Sequence, residues 1–326
     1  MASNRVIRFL KKLKPYNIQK GLRYLKHFGL KEFLVRLSER MEPEEVPYGP
    51  WYEEHRAKPE ELERQRKQSL AWENFSGGEK SACVFSIAVP VFRTPAKFLC
   101  EMIESVRSQS FPFWELCLAN ADPEDREVAE ILERYCREDR RIRVKNLKEN
   151  KGISENTNAA LAMARGEFVG LLDHDDLLAP DALYEMAARL EKDGGIDVFY
   201  TDEDKVTTDL SEHFQPHLKP DFNLDLLRSN NYICHFFVVR REIAERIGGF
   251  RPEFNGAQDY DFIFRCTEEA EKIVHIPRIL YHWRVHSAST ADNPASKMYA
   301  YEAGKRAIEG NLERSGVRGV GSLIFF

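Results

Sequence analysis

From residue 84 onward, apolar positions alternate between short continuous runs and longer stretches with helical spacing. The continuous runs predict strands over residues 84–92, 114–119, 142–147 and 168–172. The helically spaced stretches predict helices over residues 95–109, 126–137 and 154–164. A strand–helix alternation with short connections is typical of a mostly parallel sheet covered by helices on both faces. We therefore expect an α/β fold.

Three carboxylates follow the fourth of these strands. Asp173, Asp175 and Asp176 come directly after the apolar run 168–172, so they should lie at the carboxyl end of a buried strand, where open α/β sheets bind ligands. Grouped carboxylates repel one another unless a cation or proton intervenes, and their oxygens suit Mg²⁺ or Mn²⁺. The sequence thus predicts a metal site, with an acidic turn before the helix near Asp181 as the alternative.

Two common nucleotide-binding patterns are missing from the sequence. No GxGxxG follows the first strand, and no GxxxxGK[ST] occurs anywhere, which argues against a dinucleotide site and a P-loop. No zinc-finger or RNA-binding signature appears either, and the body of the chain is acidic, so nucleic acid is not an expected partner.

The charge is distributed unevenly along the chain. Residues 1–40 carry 11 Lys/Arg and 2 Asp/Glu, a balance of +9, whereas the remainder carries −14. Apolar positions in this segment have helical spacing, which is typical of an interfacial helix at anionic lipid or of helices that dock on protein. Residues 41–80 form a charged connector with a helical piece at 59–68. We predict these segments: a basic helical extension and connector 1–80, and a main domain 81–326 divided into residues 81–205, residues 206–295 and a C-terminal helix and tail 296–326.

Six cysteines are scattered without CxxC pairs. They indicate reduced core residues in a cytoplasmic protein, with the inner face of the cell membrane as the expected place of work if the basic extension binds lipid. The sequence shows no signal peptide and no apolar stretch of membrane-spanning length.

Five spaced segments carry a family resemblance: residues 86–91, 150–158, 173–176, 258–261 and 281–286. In this order and spacing, the region from about Ser86 to His286 resembles the inverting family 2 glycosyltransferases of GT-A fold, particularly bacterial enzymes that extend surface polysaccharides. The GT-A fold is a Rossmann-like nucleotide-binding α/β fold. The resemblance implies that residues 81–205 are a nucleotide-sugar half and residues 206–295 an acceptor half. Longer members of the family often continue into another domain, so we expect this chain to be a short form or a fragment.

The resemblance implies a sugar transfer from a nucleotide-diphosphate sugar to a hydroxyl of a glycan or lipid-linked glycan, assisted by Mn²⁺ or Mg²⁺. Asp175 would ligate the metal, Asp173 would face the ribose or a metal-bound water, and Asp176 would either join them or be an acid that supports the ligands or caps the following helix. Asp259 would be the base, beside Gln258 where the family more often has Glu. The alternative for Asp259 is an N-terminal helix cap.

The late segments supply further candidates by the same resemblance. Arg284 would bind phosphate and His286 would complete the metal site, whereas we expect His282 to be buried and hydrogen-bonded. Asp202 and Asp204 would accept hydrogen bonds from sugar hydroxyls, unless they form an ordinary acidic turn after a strand that ends at Tyr200.

The donor side is also implied by the resemblance. The expected neighbours of the nucleotide are Pro90, Phe92, Arg93, Asn120, Asn150, Gly152 and Asn158. Asn120 stands where relatives commonly carry acids that read the base, so the preference for a particular base stays open.

Other functions remain open at this point. A metal-dependent nucleotidyltransferase would also have acids at the carboxyl end of a sheet strand, but it would not require Asp259. A nucleotide-sugar-binding subunit with little turnover would bind donor and metal without transfer. A glycoside hydrolase is the least favoured, because its two working carboxylates need no metal.

Overall fold

The computed structural model describes residues 47–72, 83–286, 298–319 and 321, together with scattered positions between 21 and 37. The chain divides into two compact units, Met1–Glu53 and Glu54–Phe326. The described positions between 21 and 37 are helical. The helical pattern expected over residues 1–20 lies outside the described residues.

The first half of the large unit is the alternation that the sequence predicts. Its elements are β1 Phe85–Val91, α3 Ala96–Arg107, β2 Trp114–Asn120, α4 Arg126–Glu138, β3 Ile142–Asn146, α5 Ile153–Leu161 and β4 Phe168–Leu171, after two earlier helices, α1 Tyr48–His55 and α2 Pro59–Ala71. Every residue of β1 and β2 is buried, as continuous apolar runs in a parallel sheet should be. All predicted strands and helices of this half are confirmed.

The second half adds antiparallel strands to this sheet. Its elements are β5 Leu177–Leu178, α6 Ala182–Leu190, β6 Val198–Thr207, β7 His213–His217, α7 Leu224–Ser229, β8 Phe237–Arg240, α8 Arg241–Arg246, a 3₁₀ turn Pro252–Phe254, α9 Gln258–Glu269, β9 Ile273–Val285 and α10 Met298–Arg314.

The nine strands form one mixed sheet in the order β3-β2-β1-β4-β8-β6-β9-β5, with β7 paired to β6. Strands β1 to β4 are mutually parallel, so their carboxyl ends meet at one edge. Strand β8 runs antiparallel to both β4 and β6, whereas β6 and β9 are parallel. The predicted mixed, mostly parallel GT-A-type α/β architecture is confirmed.

Strand β6 is longer than the sequence pattern indicates. The strand was expected to end at Tyr200 with acids in a following segment, but it continues to Thr207. Asp202, Glu203 and Asp204 are buried inside it. They tolerate this position because imidazoles of β7 and β9 and the ammonium of Lys219, which follows β7, form hydrogen bonds to them.

Helix α2, within the expected charged connector, lies in the large unit and packs on its core. Its buried Gln65 accepts a hydrogen bond from the Ser110 hydroxyl at 2.7 Å. Gln68 accepts one from the Tyr184 hydroxyl at 2.9 Å, and Trp72 stacks on the Tyr184 ring. The placement of a domain boundary near residue 80 stays a prediction.

Candidate active site

The acidic segment lies where the sequence places it. Asp173, Asp175 and Asp176 follow β4 in a turn at the carboxyl edge of the parallel strands. Strand β1 lies beside the segment that leads into this turn, since Leu172 donates its backbone N–H to the Ala88 carbonyl, and β1 and β2 end level with each other with Val91 opposite Asn120. Polar groups from several strands therefore share one edge of the sheet.

Asp175 meets a histidine from the end of the last strand. Its Oδ2 lies 2.8 Å from His286 Nε2, although 111 residues separate the two along the chain. The His286 ring packs against Phe98 on α3, with ring centroids 5.2 Å apart. Both side chains keep part of their surface exposed, so a ligand can reach the carboxylate and the imidazole together.

Asp173 is the most accessible of the three acids, because 52% of its side chain is exposed. Its Oδ2 lies 3.7 Å from His235 Nε2, and its backbone N–H donates to the Tyr281 hydroxyl. The accessible Asp173 carboxylate therefore lies beside the His235 imidazole, where a ligand can reach it.

Asp176 points away from solvent and is 1% exposed. Its carboxylate accepts hydrogen bonds from the Tyr281 hydroxyl at 2.6 Å and the Arg284 backbone N–H at 2.8 Å. Burial raises the pKa of Asp176 well above its usual value, and the charges of Asp175 and Asp173 add to this effect. The arrangement matches the supporting role considered for Asp176, which fastens the acidic turn to β9.

Arg284 is fully buried beneath the turn. Its Nε donates to the Asp175 backbone carbonyl at 2.7 Å, and its Nη1 bonds the Glu101 carboxylate of α3. The guanidinium also lies 4.3 Å from the centre of the Phe98 ring. Among the described residues its buried Nη2 has no hydrogen-bond partner, and the phosphate contact expected of Arg284 stays a prediction.

Asp259 is half-buried in the first turn of α9, where the helix dipole favours a negative charge. Its Oδ2 accepts a hydrogen bond of 2.9 Å from the side-chain amide of Asn231. The neighbouring Gln258 side chain turns back to accept the Gly256 backbone N–H at 2.8 Å. Asn231 therefore orients the candidate base, a role that the sequence does not reveal.

A buried ion pair holds the segment that carries Asn231 and His235. The Lys219 ammonium is fully buried and bonds the Glu203 carboxylate at 3.0 Å and the carbonyls of Ile233 and His235. Glu203 also accepts the His235 backbone N–H at 3.0 Å. The segment consequently reaches Asp259 at one end and Asp173 at the other.

Sequence reasoning missed the Lys219–Glu203 pair. Strand alternation offered a signal, because residues of opposite parity point to opposite faces: Glu203 must face away from Asp202 and Asp204 once the strand is recognised as continuous. The ring of His235 stacks on Tyr281 with centroids 4.7 Å apart, which fixes it beside the acidic turn.

The two acids expected to contact the acceptor have protein partners. Asp202 Oδ1 accepts the Lys219 backbone N–H at 2.8 Å and lies 2.9 Å from His275 Nε2. Asp204 is fully buried between His213 and His282. The burial and hydrogen bonding expected of His282 are present. Acceptor contacts by Asp202, Asp204 and Gln258 stay a prediction.

The residues expected at the donor side lie along the same edge of the sheet. Pro90 is near the end of β1, followed by the half-buried Phe92 and by Arg93, whose guanidinium lies over the Phe92 ring. Asn120 ends β2. Its side-chain NH₂ donates a hydrogen bond to Asn146 Oδ1, and its Oδ1 accepts one from the Asp122 backbone N–H, both at 3.0 Å.

The loop before α5 is built around two asparagines and a glycine. Asn150 Oδ1 accepts a hydrogen bond from the Gly152 backbone N–H at 2.9 Å. The φ of Gly152 is +96°, a backbone angle that glycine adopts readily because it has no Cβ. Asn158 bonds both backbone groups of Phe250, donating at 2.8 Å and accepting at 2.7 Å. The Asn158 amide thus ties α5 to the segment before α9, and contact of these residues with ribose or phosphate stays a prediction.

The donor atoms present at the acidic turn fit a divalent ion. Asp175 offers a carboxylate oxygen and His286 an imidazole nitrogen at one accessible point, whereas the half-exposed carboxylate of Asp173 lies with Asp176 and His235 in the same turn. Oxygen ligands with one nitrogen suit Mn²⁺, and carboxylates also suit Mg²⁺. The edge therefore has the chemistry to bind a metal and an anionic ligand next to a carboxylate base.

One half of the chain matches the model of a protein family. The model of "Glycosyl transferase family 2" covers residues 86–248. The O-antigen biosynthesis protein RfbC of Myxococcus xanthus is 37% identical over 233 residues, which are 72% of this chain and 18% of that protein. The uncharacterized protein y4gI of Sinorhizobium fredii is 43% identical over 71% of this chain and 26% of its own length. The chain thus spans about a quarter or less of these relatives.

Solved structures share the fold. S. aureus TarS residues 1–349, in complex with UDP-GlcNAc, superposes with a TM-score of 0.59 at 22% identity over 70% of this chain and 66% of that one. The mannosyltransferase PcManGT of Pyrobaculum calidifontis, in complex with GDP-Man and Mn²⁺, gives a TM-score of 0.50 at 16% identity over 79% of this chain and 72% of that one. The family model matches half of the chain, and the sheet carries acidic residues at the carboxyl ends of its parallel strands. The chain therefore belongs to glycosyl transferase family 2.

Proposed function

We propose that the chain is a metal-dependent, inverting glycosyltransferase that moves a sugar from a nucleotide-diphosphate sugar to a hydroxyl of a glycan or lipid-linked glycan during synthesis of a cell-surface polysaccharide. The observation that carries the proposal is that one short segment meets both groups: Asn231 donates a hydrogen bond of 2.9 Å to Asp259, and His235 lies 3.7 Å from Asp173 in the acidic turn. The names of RfbC and TarS, with its UDP-GlcNAc, support this reaction and substrate class.

Asp175 and His286 would hold the metal, with Asp173 beside them. When bound, Mn²⁺ or Mg²⁺ would neutralise the negative charge that collects on the diphosphate as it leaves. The chain's own contribution is a fixed set of donors, because Asp176 and Arg284 fasten the turn to β9 from below. The Mn²⁺ bound to the mannosyltransferase PcManGT supports this choice of ion.

Asp259 would remove the proton from the acceptor hydroxyl as the oxygen attacks the anomeric carbon. An inverting transfer needs such a base on the face opposite the leaving group. The hydrogen bond from Asn231 fixes one carboxylate oxygen of Asp259 and leaves the other for the acceptor. Asp259 lies in the first turn of α9, where the helix dipole interacts favourably with a negative charge.

The nucleotide would lie along the carboxyl edge of β1 to β4. Arg93 and Arg284 are the nearby cations that suit phosphate. Contacts from the remaining donor-side residues belong to the same proposal: Pro90, Phe92, Asn120, Asn150, Gly152 and Asn158. The acceptor side would be formed by Asp202, Asp204 and Gln258. These residues would contribute to it by stabilising strand β6 and the start of helix α9.

The test separates donor binding from transfer. We expect one of UDP, GDP, dTDP or CDP to raise the melting temperature only when Mn²⁺ is present, because a ligand that binds only the native state stabilises it. Asp175→Asn should abolish this shift. Asp259→Asn should keep the shift and lose turnover of the matching nucleotide sugar, measured as release of the nucleotide diphosphate.

Three outcomes would count against the proposal. A melting temperature unchanged by every nucleotide, with or without Mn²⁺, would remove the donor site. Full turnover by Asp259→Asn would remove the base. Release of pyrophosphate from a nucleoside triphosphate would instead identify a nucleotidyltransferase.

We also propose that residues 1–40 bring the enzyme to an anionic membrane surface. The support is their balance of +9 against −14 for the remainder. In the part of the chain that the structure describes, no helix is long and apolar enough to cross a membrane. Reversing the charge of Lys11, Lys12 and Lys14 to Glu should reduce co-sedimentation with anionic liposomes, and unchanged binding would refute this contact.

A further inference from the structure

Three neighbouring strands bring one carboxylate and two imidazoles together outside the acidic turn. Asp204 on β6 lies directly opposite His282 on β9 in the parallel pairing. On the other side of β6, His213 of β7 lies opposite Val206. Since residues two apart in a strand share a face, His213 and Asp204 are diagonal neighbours on that face.

The three side chains direct their ligand atoms at one point. Asp204 Oδ1 lies 2.6 Å from His282 Nδ1, and Asp204 Oδ2 lies 2.8 Å from His213 Nδ1. The three ligand atoms lie within 4.8 Å of one another. The Asp204 carboxylate is fully buried, whereas 19% of the His213 side chain is exposed. An ion can therefore enter beside His213 and meet an oxygen and two nitrogens.

We propose that Asp204, His213 and His282 form a transition-metal site, with Zn²⁺ as its ion. Two imidazole nitrogens and a carboxylate oxygen are zinc ligands, and they favour zinc over Mg²⁺. Donor atoms in a tetrahedral zinc site lie about 3.3 Å apart, as follows from bond lengths of about 2.0–2.1 Å. The contacts of 2.6 Å from Asp204 Oδ1 to His282 and 2.8 Å from Asp204 Oδ2 to His213 therefore have to widen by roughly 0.5–0.7 Å to accommodate the ion.

Binding requires no net loss of protons from the two rings. A neutral imidazole that presents Nδ1 to the metal carries its proton on Nε2 instead. Water entering on the exposed side of His213 supplies the fourth ligand. The ion then joins β7, a strand that pairs with β6, to β6 and β9.

Two other groups of potential ligands are less suited to a separate ion. The group of Glu203, Cys234 and His235 already contains the Lys219 ammonium against the Glu203 carboxylate. The group of Asp173, Asp176 and His235 belongs to the acidic turn. The Asp204 group shares no residue with that turn or with His286, which lies four residues beyond His282 on the same chain segment, roughly 13 Å at the rise of a strand.

The experiment measures the metal alone on the full chain. Protein stripped with EDTA is titrated with Zn²⁺ by calorimetry, and with Co²⁺ while the visible absorption of a four-coordinate ion is recorded. We expect one equivalent of tightly bound zinc in the wild type, with a melting temperature that rises with zinc concentration. His213→Gln and His282→Gln each remove a ligand of the ion. Loss of a residue that only hydrogen-bonds to a metal ligand weakens binding by ~10–100-fold, and we expect each of these two variants to weaken zinc binding by more than that.

Matched controls place the ion. His217→Gln removes an imidazole from the same strand, and His286→Gln removes one from the acidic turn; both should keep the tightly bound equivalent. The circular dichroism spectrum of each variant shows that it is folded. The proposal is overturned if the wild type binds no zinc, if His213→Gln and His282→Gln bind it as the wild type does, or if His286→Gln alone loses it.

Discussion

Replacing Lys219 by Met should destabilise the protein by about 3–5 kcal/mol at pH 7. The substitution keeps most of the length of the side chain and removes only the charge and its hydrogen bonds. Glu203, whose side chain is 6% exposed, would then hold a buried charge that has lost its ammonium partner. Breaking one side of such a pair costs about 3–5 kcal/mol, because the remaining charge stays away from water.

The carbonyls of Ile233 and His235 would lose the same donor. Because these carbonyls belong to the segment that carries Asn231, we also expect turnover to fall. Urea unfolding followed by circular dichroism measures the free energy of unfolding. Lys192→Met, an exposed lysine in the same unit, is the matched control and should change it by less than about 0.5 kcal/mol.

The pH dependence gives a second check on the ion pair. Burial works against the charged form of Glu203, but hydrogen bonds from His217 and His235 and the charges of His235 and Lys219 prevail and hold its pKa well below the usual value. A lowered carboxylate pKa contributes stability above the unfolded value of about 4.3 and loses it as the pH falls below that value. The difference between wild type and Lys219→Met should therefore be full at pH 7 and narrow below about pH 4.

A double-mutant cycle decides whether the two charges cause the effect. In a Glu203→Gln background, Lys219→Met should cost less than it does alone, because no buried carboxylate charge remains to be compensated. A cost below about 1 kcal/mol in the wild type, or the same cost in both backgrounds, would refute the reasoning.

Three further predictions follow from single contacts. Asn231→Ser should lower turnover by about 10–100-fold without weakening the metal-dependent nucleotide shift, because a hydrogen bond to a charged group such as Asp259 is worth about 1.5–3 kcal/mol; unchanged turnover would show that the bond is not used. Asp176→Ala should reduce the free energy of unfolding by about 1–3 kcal/mol in a urea titration, since two buried donors on β9 lose their acceptor; a neutral result would contradict this. Gly249→Ala should also lower it, by about 1–3 kcal/mol, because φ is +71° and a Cβ would lie 2.5 Å from Asn158 Oδ1; an equally stable variant would disprove the strain.

The sequence by itself determined the order of the elements and the edge where the acids lie. Periods of two and 3.6 residues are local properties, so the strands and helices from Phe85 to Leu171 could be read from apolar positions alone. The carboxyl ends of parallel strands necessarily meet at one edge. For that reason the location of Asp173 and Asp175 followed from the element order without knowledge of any contact.

The tertiary structure decided which polar side chains face a ligand and which support the framework. Asp204 and His282 are 78 residues apart, and Asp175 and His286 are 111 apart; no local pattern encodes such pairs. The same holds for β6. In the sequence its acids resemble a turn, but in the folded chain they lie inside the sheet and are hydrogen-bonded to residues from distant parts of the chain. Burial of charge depends on distant partners, because desolvation must be offset by contacts that only the folded chain brings together.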